Sequence, residues 1–266
     1  MPTFRTIATP ANSRELNKVI TGLAQRQSSV FSTLINSLKI GMSTIDIADV
    51  VRSEARRQQV DLCFRERFNF SDDISICLND EVMNGVPRQE RMVRRGDTLK
   101  ISFGVHDGMK AFATQTWTVY LGEVTARHAG FLEDTQRCLD ATISCCVAGA
   151  TISDVARCMR KQVSEKGHFL SRDFSGHLIG AEPVLKPMIV EQTGALAPQY
   201  ALSRGAILSL LILTHPAKPR LGQRDGCGTV YDKNRELSAC FSHLVEVTDD
   251  KPRILSSSHP FMLPLN

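Results

Sequence analysis

A pattern of helix-start residues occurs twice in this chain, 108 positions apart, and it limits the folds available more than any other feature. Gly41, Asp46, Ala48 and Arg52 recur as Gly149, Asp154, Ala156 and Arg160, with Ser43 matched by Thr151 and Val51 by Met159. Ser43 and Thr151 suit the N-cap position, where a short hydroxyl accepts from a first-turn N–H that has no partner inside the helix. Apolar residues then follow at helical spacing in the second copy, at Ile152, Val155, Met159 and Val163. A further helical run precedes each copy. Leu16, Val19, Ile20, Leu23, Phe31, Leu34, Ile35 and Leu38 carry the first, and Phe131, Thr135, Cys138, Leu139 and Ile143 the second.

Strand-like segments come after each helix pair. LKISFGV, QTWTVYL, AILSLLIL and HLVEVT are short, rich in β-branched or aromatic residues, and bounded by Gly, Asp or Pro. The expectation is an α+β chain of two αα-ββ halves related by a pseudo-twofold, with a cleft between them, a common place for a site. No linker is long enough to separate domains. The organisation predicted is an N-terminal extension over 1–10, one domain over 11–255 with halves of about 11–123 and 124–255, and a tail over 256–266.

Six segments stand in a fixed order: FNFSDDISICLNDEVMNGVP (68–87), RRGDTLKISFGVHDG (94–108), TQTWTVYLGE (114–123), FSGHLIG (174–180), RGAILSLLIL (204–213) and FSHLVEVTDD (241–250). In order and spacing they resemble the methionine aminopeptidases and their creatinase-type relatives, over roughly residues 11 to 255. The resemblance implies the pita-bread fold, in which the two halves surround a curved, mainly antiparallel sheet. In that family two Asp, one His and two Glu hold a pair of divalent metals. Carried over, the two Asp fall on Ser102 and Thr114, the His on His177, and the two Glu on Leu211 and Ser242. A further His near the scissile amide falls on Asn84, and a second substrate-side His falls in a short deletion between Gly180 and Glu182-Pro183.

Two metals need anionic oxygen and imidazole ligands to polarise a carbonyl and to supply hydroxide at neutral pH. Ser and Thr hydroxyls are weak neutral ligands, Leu211 offers none, and one imidazole cannot hold a metal pair. Carboxylates clustered without a cation would repel one another, so neutral replacements favour stability once metal is gone. The expectation is a metal-free polar cleft with no cofactor. Alternate residues of a strand share a face, so Cys240 should accompany Ser242, Lys100 and Gly104 should accompany Ser102, and Phe112 and Thr116 should flank Thr114.

Three readings follow. In the first, the chain is a catalytically retired relative of the aminopeptidases that binds a protein or peptide partner, as relatives of this fold without metal ligands do; its binding residues would be Asn84, Ser102, Thr114, His177, Leu211, Cys240 and Ser242. In the second, His177 is the catalytic acid or base of a metal-independent enzyme acting on an amide, an imine or a small metabolite, as in the creatinase branch. The acids that hold a guanidinium there are absent here, and a Ser or Cys nucleophile would need His177 within hydrogen-bond reach. The third is an active metallopeptidase with improvised ligands. His106, beside an Asp-Gly turn, and His243, on the opposite strand face from Ser242, are weaker candidates.

Composition sets wider bounds. With 266 residues and 42% hydrophobic content the chain can bury a full core, and a formal charge of +4 gives no electrostatic case for nucleic acid. No run approaches the roughly 18 apolar residues of a membrane span, and the first residues lack the apolar stretch of a secretory signal. A cytoplasmic location with reduced, mostly buried thiols is expected for the eight cysteines, which show no paired C-x-x-C spacing. Arg91, Arg94 and Arg95 with Lys100 read as a solvated basic face, and AKPRLGQRDGCG (217–228) as an exposed loop or bent hairpin. The apolar end of the tail SSSHPFMLPLN should pack on the body or on a neighbour, which makes a homodimer worth testing.

Overall fold

The structure is a computed structural model that describes residues 6–108, 110–171, 174, 176–189, 199–224, 226 and 228–264. Its first half runs β1 (Thr6–Ala8), α1 (Arg14–Ser37), α2 (Thr44–Arg57), β2 (Asp61–Leu62), α3 (Phe64–Phe68), β3 (Ile74–Leu78), β4 (Glu81–Met83), β5 (Thr98–His106) and β6 (Phe112–Leu121). The second begins with α4 (Ala126–Ile143), α5 (Ile152–Glu165), β7 (Phe169–Leu170), β8 (His177–Ile179), β9 (Leu185–Met188) and β10 (Gln199–Ala201). It ends with β11 (Ile207–His215), β12 (Leu221–Gln223), β13 (Val230–Asp232), β14 (Ala239–Glu246), β15 (Arg253–Ile254) and β16 (Met262–Leu263).

The repeat holds down to single hydrogen bonds. Helices α2 and α5 both open with a complete capping box, Ser43 with Asp46 and Thr151 with Asp154, so two N–H groups at each start are satisfied reciprocally. Gly41 and Gly149 turn the chain into these caps with φ of +89° and +86°, a region open at low cost to glycine. Ser43 bridges to Met92 and Thr151 to Ala201, both antiparallel. After each helix a short strand pairs with the end of a long one: Asp61 lies opposite His106 in the first half, and Phe169 opposite His215 in the second.

The long strands β5 and β6 form one antiparallel pair and β11 and β14 the other. Around them the sheets order as β16-β6-β5-β2, with β3 also on β5, and β15-β14-β11-β8-β9, with β7 on β11. Strand β1 pairs with β10 and β16 with β6 in parallel, and an isolated parallel bridge joins Val147 and Thr248. Both long pairs are buried almost throughout, because α1 packs on β6 and α4 on β11 and β14. Phe31 of α1 stacks on Phe103 at 4.5 Å between ring centroids, and the buried Gln27 amide donates to the Phe103 carbonyl at 2.7 Å.

The tail packs on its own chain. Tyr120 N–H donates to Phe261 O and Gly122 N–H to Leu263 O, both at 2.7 Å, while Trp117 Nε1 donates to His259 O at 3.1 Å. Of its apolar residues, Leu263 joins the main core, and Phe261 and Met262 pack against it. The 217–228 segment contributes to a β12–β13 hairpin; Asp225 and Cys227 lie outside the described residues. Among the described residues no helix is long and apolar enough to cross a membrane.

Two expectations about side chains are corrected. Cys145 and Cys158 are joined as a disulfide, because the α4–α5 packing brings both sulfurs to the Ala141 carbonyl, at 3.8 Å and 3.9 Å. Cys63, Cys77, Cys138, Cys146 and Cys240 are free and buried. Lys100 does not belong to the solvated basic face: it is 3% exposed, and its ammonium donates to the carbonyls of Asn79 at 3.4 Å and Ser238 at 3.2 Å.

Three histidines, His215, His243 and His259, are buried, and burial holds each near a pKa of about 4. Their folded-state values lie below the unfolded value of about 6.5, so unfolding takes up protons between the two. Stability is full above about pH 6.5 and falls as pH drops toward 4. Thermal unfolding followed from pH 8 to pH 5 is expected to show a flat midpoint and then a decline of at least several degrees, at roughly 2–4 °C per kcal/mol for a chain of this size. His243→Gln should lessen that slope.

Candidate functional site

The residues predicted to form a site stand on the strands where the two halves meet. Ser102 on β5 lies opposite Thr116 on β6, and their hydroxyls bond at 2.7 Å. Ser242 on β14 accepts the Thr116 N–H at 2.8 Å. Thr114, two residues back on β6, bonds Ser209 of β11 at 2.9 Å between hydroxyls. Ser209 lies opposite His177 of β8, and Leu211 opposite Ser242. The ladders thus bring Ser102, Thr114, His177, Leu211 and Ser242 onto adjoining strands.

The β6–β14 junction is made by side chains. Strands β6 and β14 form no backbone ladder with each other. Instead the Thr118 hydroxyl donates to Cys240 O at 2.8 Å and accepts from Cys240 N–H at 2.7 Å. With Ser242 and Thr116, these hydroxyls satisfy backbone groups that would otherwise be buried without partners.

His177 is half-buried, and among the described residues its one hydrogen-bond partner is its neighbour's carbonyl, with Nδ1 3.0 Å from Leu178 O. A carbonyl only accepts, so Nδ1 carries the proton and Nε2 keeps its lone pair. Burial lowers the imidazole pKa, and the Leu178 carbonyl partly opposes that. Gly176 fixes the approach of this strand: a Cβ there would stand 2.4 Å from Ser209 O and 3.0 Å from Leu211 N. The imidazole makes no hydrogen bond to Ser102, Thr114 or Ser242, whose hydroxyls are engaged with one another's strands.

Asn84 belongs to a different element. It sits just past β4 with φ of +59°, and its carbonyl accepts from the Thr229 hydroxyl at 2.9 Å. The next residue must be glycine, since a Cβ on Gly85 would lie 2.1 Å from Ile76 O.

Cys240 does share the strand parity of Ser242 but is fully buried beside Val82 and Leu213, with Met83, Phe174, Leu211, Leu221 and Val230 around this cluster. Burial raises its thiol pKa far above the ordinary value, with Lys100 pulling the other way, so no thiolate is available at neutral pH. Phe112 is likewise fully buried, and Gly104 lies under Cys63, Phe64 and Thr114, within 3.1 Å of a would-be Cβ. Ser209 and Thr118 went unselected in the sequence. Ser209 had a signal, as the polar residue in the apolar run AILSLLIL two positions from Leu211; Thr118 had none beyond its place in an alternating strand.

Among the described residues no group of three or more His, Cys, Asp or Glu is placed to hold a metal ion. With this geometry in view, the fold and the strand-borne site define a class of protein. The family model described as metallopeptidase family M24 matches residues 20–249, and the chain belongs to that family. Within it, the chain is 26% identical over 256 residues to methionine aminopeptidase of Aquifex aeolicus, covering 92% of this chain and 97% of that protein. It is also 26% identical over 223 residues to methionine aminopeptidase 1 of Mycobacterium tuberculosis, covering 81% and 83%. The crystal structure of methionine aminopeptidase from Thermotoga maritima superposes with a TM-score of 0.86 at 19% identity, over 94% of this chain and 99% of that one. The X-Pro aminopeptidase of Thermotoga maritima gives 0.74 at 16% identity, over 95% and 64%. The architecture is therefore the pita-bread fold of M24 peptidases.

Replacing Thr118 by Val tests the junction. Both Cys240 backbone groups would lose their partner, and leaving a buried polar group unsatisfied costs about 1–3 kcal/mol. Thr118→Val is expected to lower unfolding stability by about 2–4 kcal/mol in denaturant titration, against less than about 1 kcal/mol for Thr118→Ser, which keeps the hydroxyl.

Proposed function

We propose that this M24-family chain is a metal-free relative of the methionine aminopeptidases that works by binding, with a protein or peptide as its partner and the cytoplasm as its place of action. The observation that carries this reading is the pairing of hydroxyls at the positions where the resemblance assigns metal-binding carboxylates: Ser102 with Thr116, Thr114 with Ser209, and Ser242 with the Thr116 N–H. Hydroxyls committed to one another, one imidazole and the Leu211 side chain do not fit a pair of divalent cations, which call for anionic oxygen ligands. The Thr114–Ser209 and Ser242–Thr116 bonds also cross between the halves, so these hydroxyls stabilise the fold without a cation. Support for a peptide-shaped partner is the family relationship together with the partly exposed apolar residues Met83, Phe174, Leu211, Leu221 and Val230 grouped on one side of the site.

A second reading is kept by one observation, the Nδ1 contact of His177 to Leu178 O, which leaves Nε2 as an acceptor suited to general base chemistry. Among the described residues no hydroxyl is hydrogen-bonded to it, so such chemistry would act on a proton of the ligand itself.

Elemental analysis of purified protein after dialysis with and without cobalt, manganese and zinc, paired with release of methionine from Met-Ala-Ser peptides, tests the proposal. The expected result is no stoichiometric metal and no methionine release. One or two metals held per chain, with peptidase activity, would overturn it. Should a biological activity be measured, His177→Ala is expected to leave it intact if the chain acts by binding, and to abolish it without unfolding the protein if His177 moves a proton.

A further inference from the structure

Among the described cysteines, Cys63, Cys77, Cys138, Cys146 and Cys240 are free and buried, whereas Cys145 and Cys158 are partly exposed. Burial pushes the Cys63 and Cys146 thiols up to about 12 and those of Cys77 and Cys138 up to about 11. Such thiols carry almost no thiolate at neutral pH, and thiolate is the reactive form. Cys145, just past the end of α4, and Cys158, in the middle of α5, are thus the pair that a solute can reach, and they are the two that are joined.

The fold holds this corner together by other means as well. The connection from α4 to α5 is pinned by its backbone, with Ala148 N–H donating to Thr248 O and Gly149 N–H to Leu202 O, both at 2.9 Å. Thr151 then opens α5 with its capping box and bridges to Ala201. Neither sulfur belongs to the apolar core. Both lie by the Ala141 carbonyl, at 3.8 Å and 3.9 Å, an acceptor that either group can use as a thiol. The site therefore suits two thiols as well as it suits a bond between them.

We propose that Cys145 and Cys158 are a reversible oxidation site, taken between dithiol and disulfide by exchange with a low-molecular-weight disulfide such as glutathione disulfide, and that the oxidised form holds α5 on α4 against opening. One chain thiolate attacks a sulfur of glutathione disulfide, releasing one glutathione and leaving a mixed disulfide. The second chain thiolate attacks the protein sulfur of that bond and releases the other glutathione. The two cysteines lose two protons and two electrons, and the glutathione disulfide gains them as two thiols. A bond across 13 positions restricts the unfolded chain, so the oxidised form is the more stable one. In a reducing compartment the dithiol is the resting state, and the bond marks exposure to oxidant. None of these residues belongs to the hydroxyl site, and the inference stands whether or not the chain has lost peptidase chemistry.

The test is equilibration of the purified full chain in glutathione buffers ranging from reduced to oxidised, followed by acid quenching, alkylation and peptide mapping by mass spectrometry. The expected result is a Cys145–Cys158 bond whose fraction rises with the share of glutathione disulfide and which dithiothreitol removes without denaturant, the reduced chain keeping the circular dichroism of the oxidised one. Oxidation is expected to raise the thermal midpoint by about 5 °C or more and to slow amide hydrogen exchange in α5 more than in β5 and β6. Cys145→Ser and Cys158→Ser should each remove the midpoint shift, and Cys227→Ser should keep it. Thiols that stay free in the most oxidising buffer, a bond that forms to another cysteine instead, a bond that resists dithiothreitol, a reduced chain that does not fold, equal midpoints for the two forms, or no slowing of exchange in α5 would each overturn the proposal.

Discussion

The rest of the structure depends on how β6 and β14 are joined. Each long strand pair is complete within its own half, and the two pairs meet without a backbone ladder between them. The Thr118 hydroxyl serves both the N–H and the carbonyl of Cys240, and Ser242 takes the Thr116 N–H. Buried backbone groups must be paired, and a hydroxyl, being donor and acceptor at once, can stand where a strand would. Together with the β4–β13, β1–β10 and β16–β6 ladders, which also cross between the halves, the junction fixes their relation and with it the strand-borne residues of the candidate site.

That junction also decides the chemistry of the site. The hydroxyls of Ser102, Thr114 and Ser242 are committed to strand-to-strand contacts, so none is presented to His177 as a nucleophile. The imidazole is oriented by a backbone carbonyl, where an acid–base machine would use a carboxylate to stabilise the charged form. Burial acts in the same direction on the imidazole and on the Cys240 thiol, since both are driven toward neutrality. The site is electrically quiet, as the interior of a binding module can be.

Much of this was legible in the residues. The 108-residue repeat marked the starts of α2 and α5, because Ser43 and Thr151 carry short hydroxyls suited to the N-cap. The β-branched runs marked the four long strands, and the ordered segments placed Ser102, Thr114, His177, Leu211 and Ser242 together. Alternation along a strand was also right about faces, but it says nothing about depth. Cys240 shares a face with Ser242 and Lys100 with Ser102, yet one is sealed in an apolar cluster and the other is folded back onto the carbonyls of Asn79 and Ser238. Ser209 stands out as a polar residue in an apolar run, but its partner Thr114 lies 95 positions away and no local pattern links the two.

The sequence by itself determined the elements, their order, their pairing into two similar halves and membership of the M24 family, because local caps, turn glycines and side-chain periodicity act over a few residues and are written in the chain directly. Only the tertiary structure decided which polar groups are bonded to which: Thr114 to Ser209, Thr118 to Cys240, and Cys145 to Cys158. Those contacts join residues that lie 13 to 122 positions apart. The first two are set by how the two halves meet and the third by how α4 packs on α5, arrangements that no local pattern encodes.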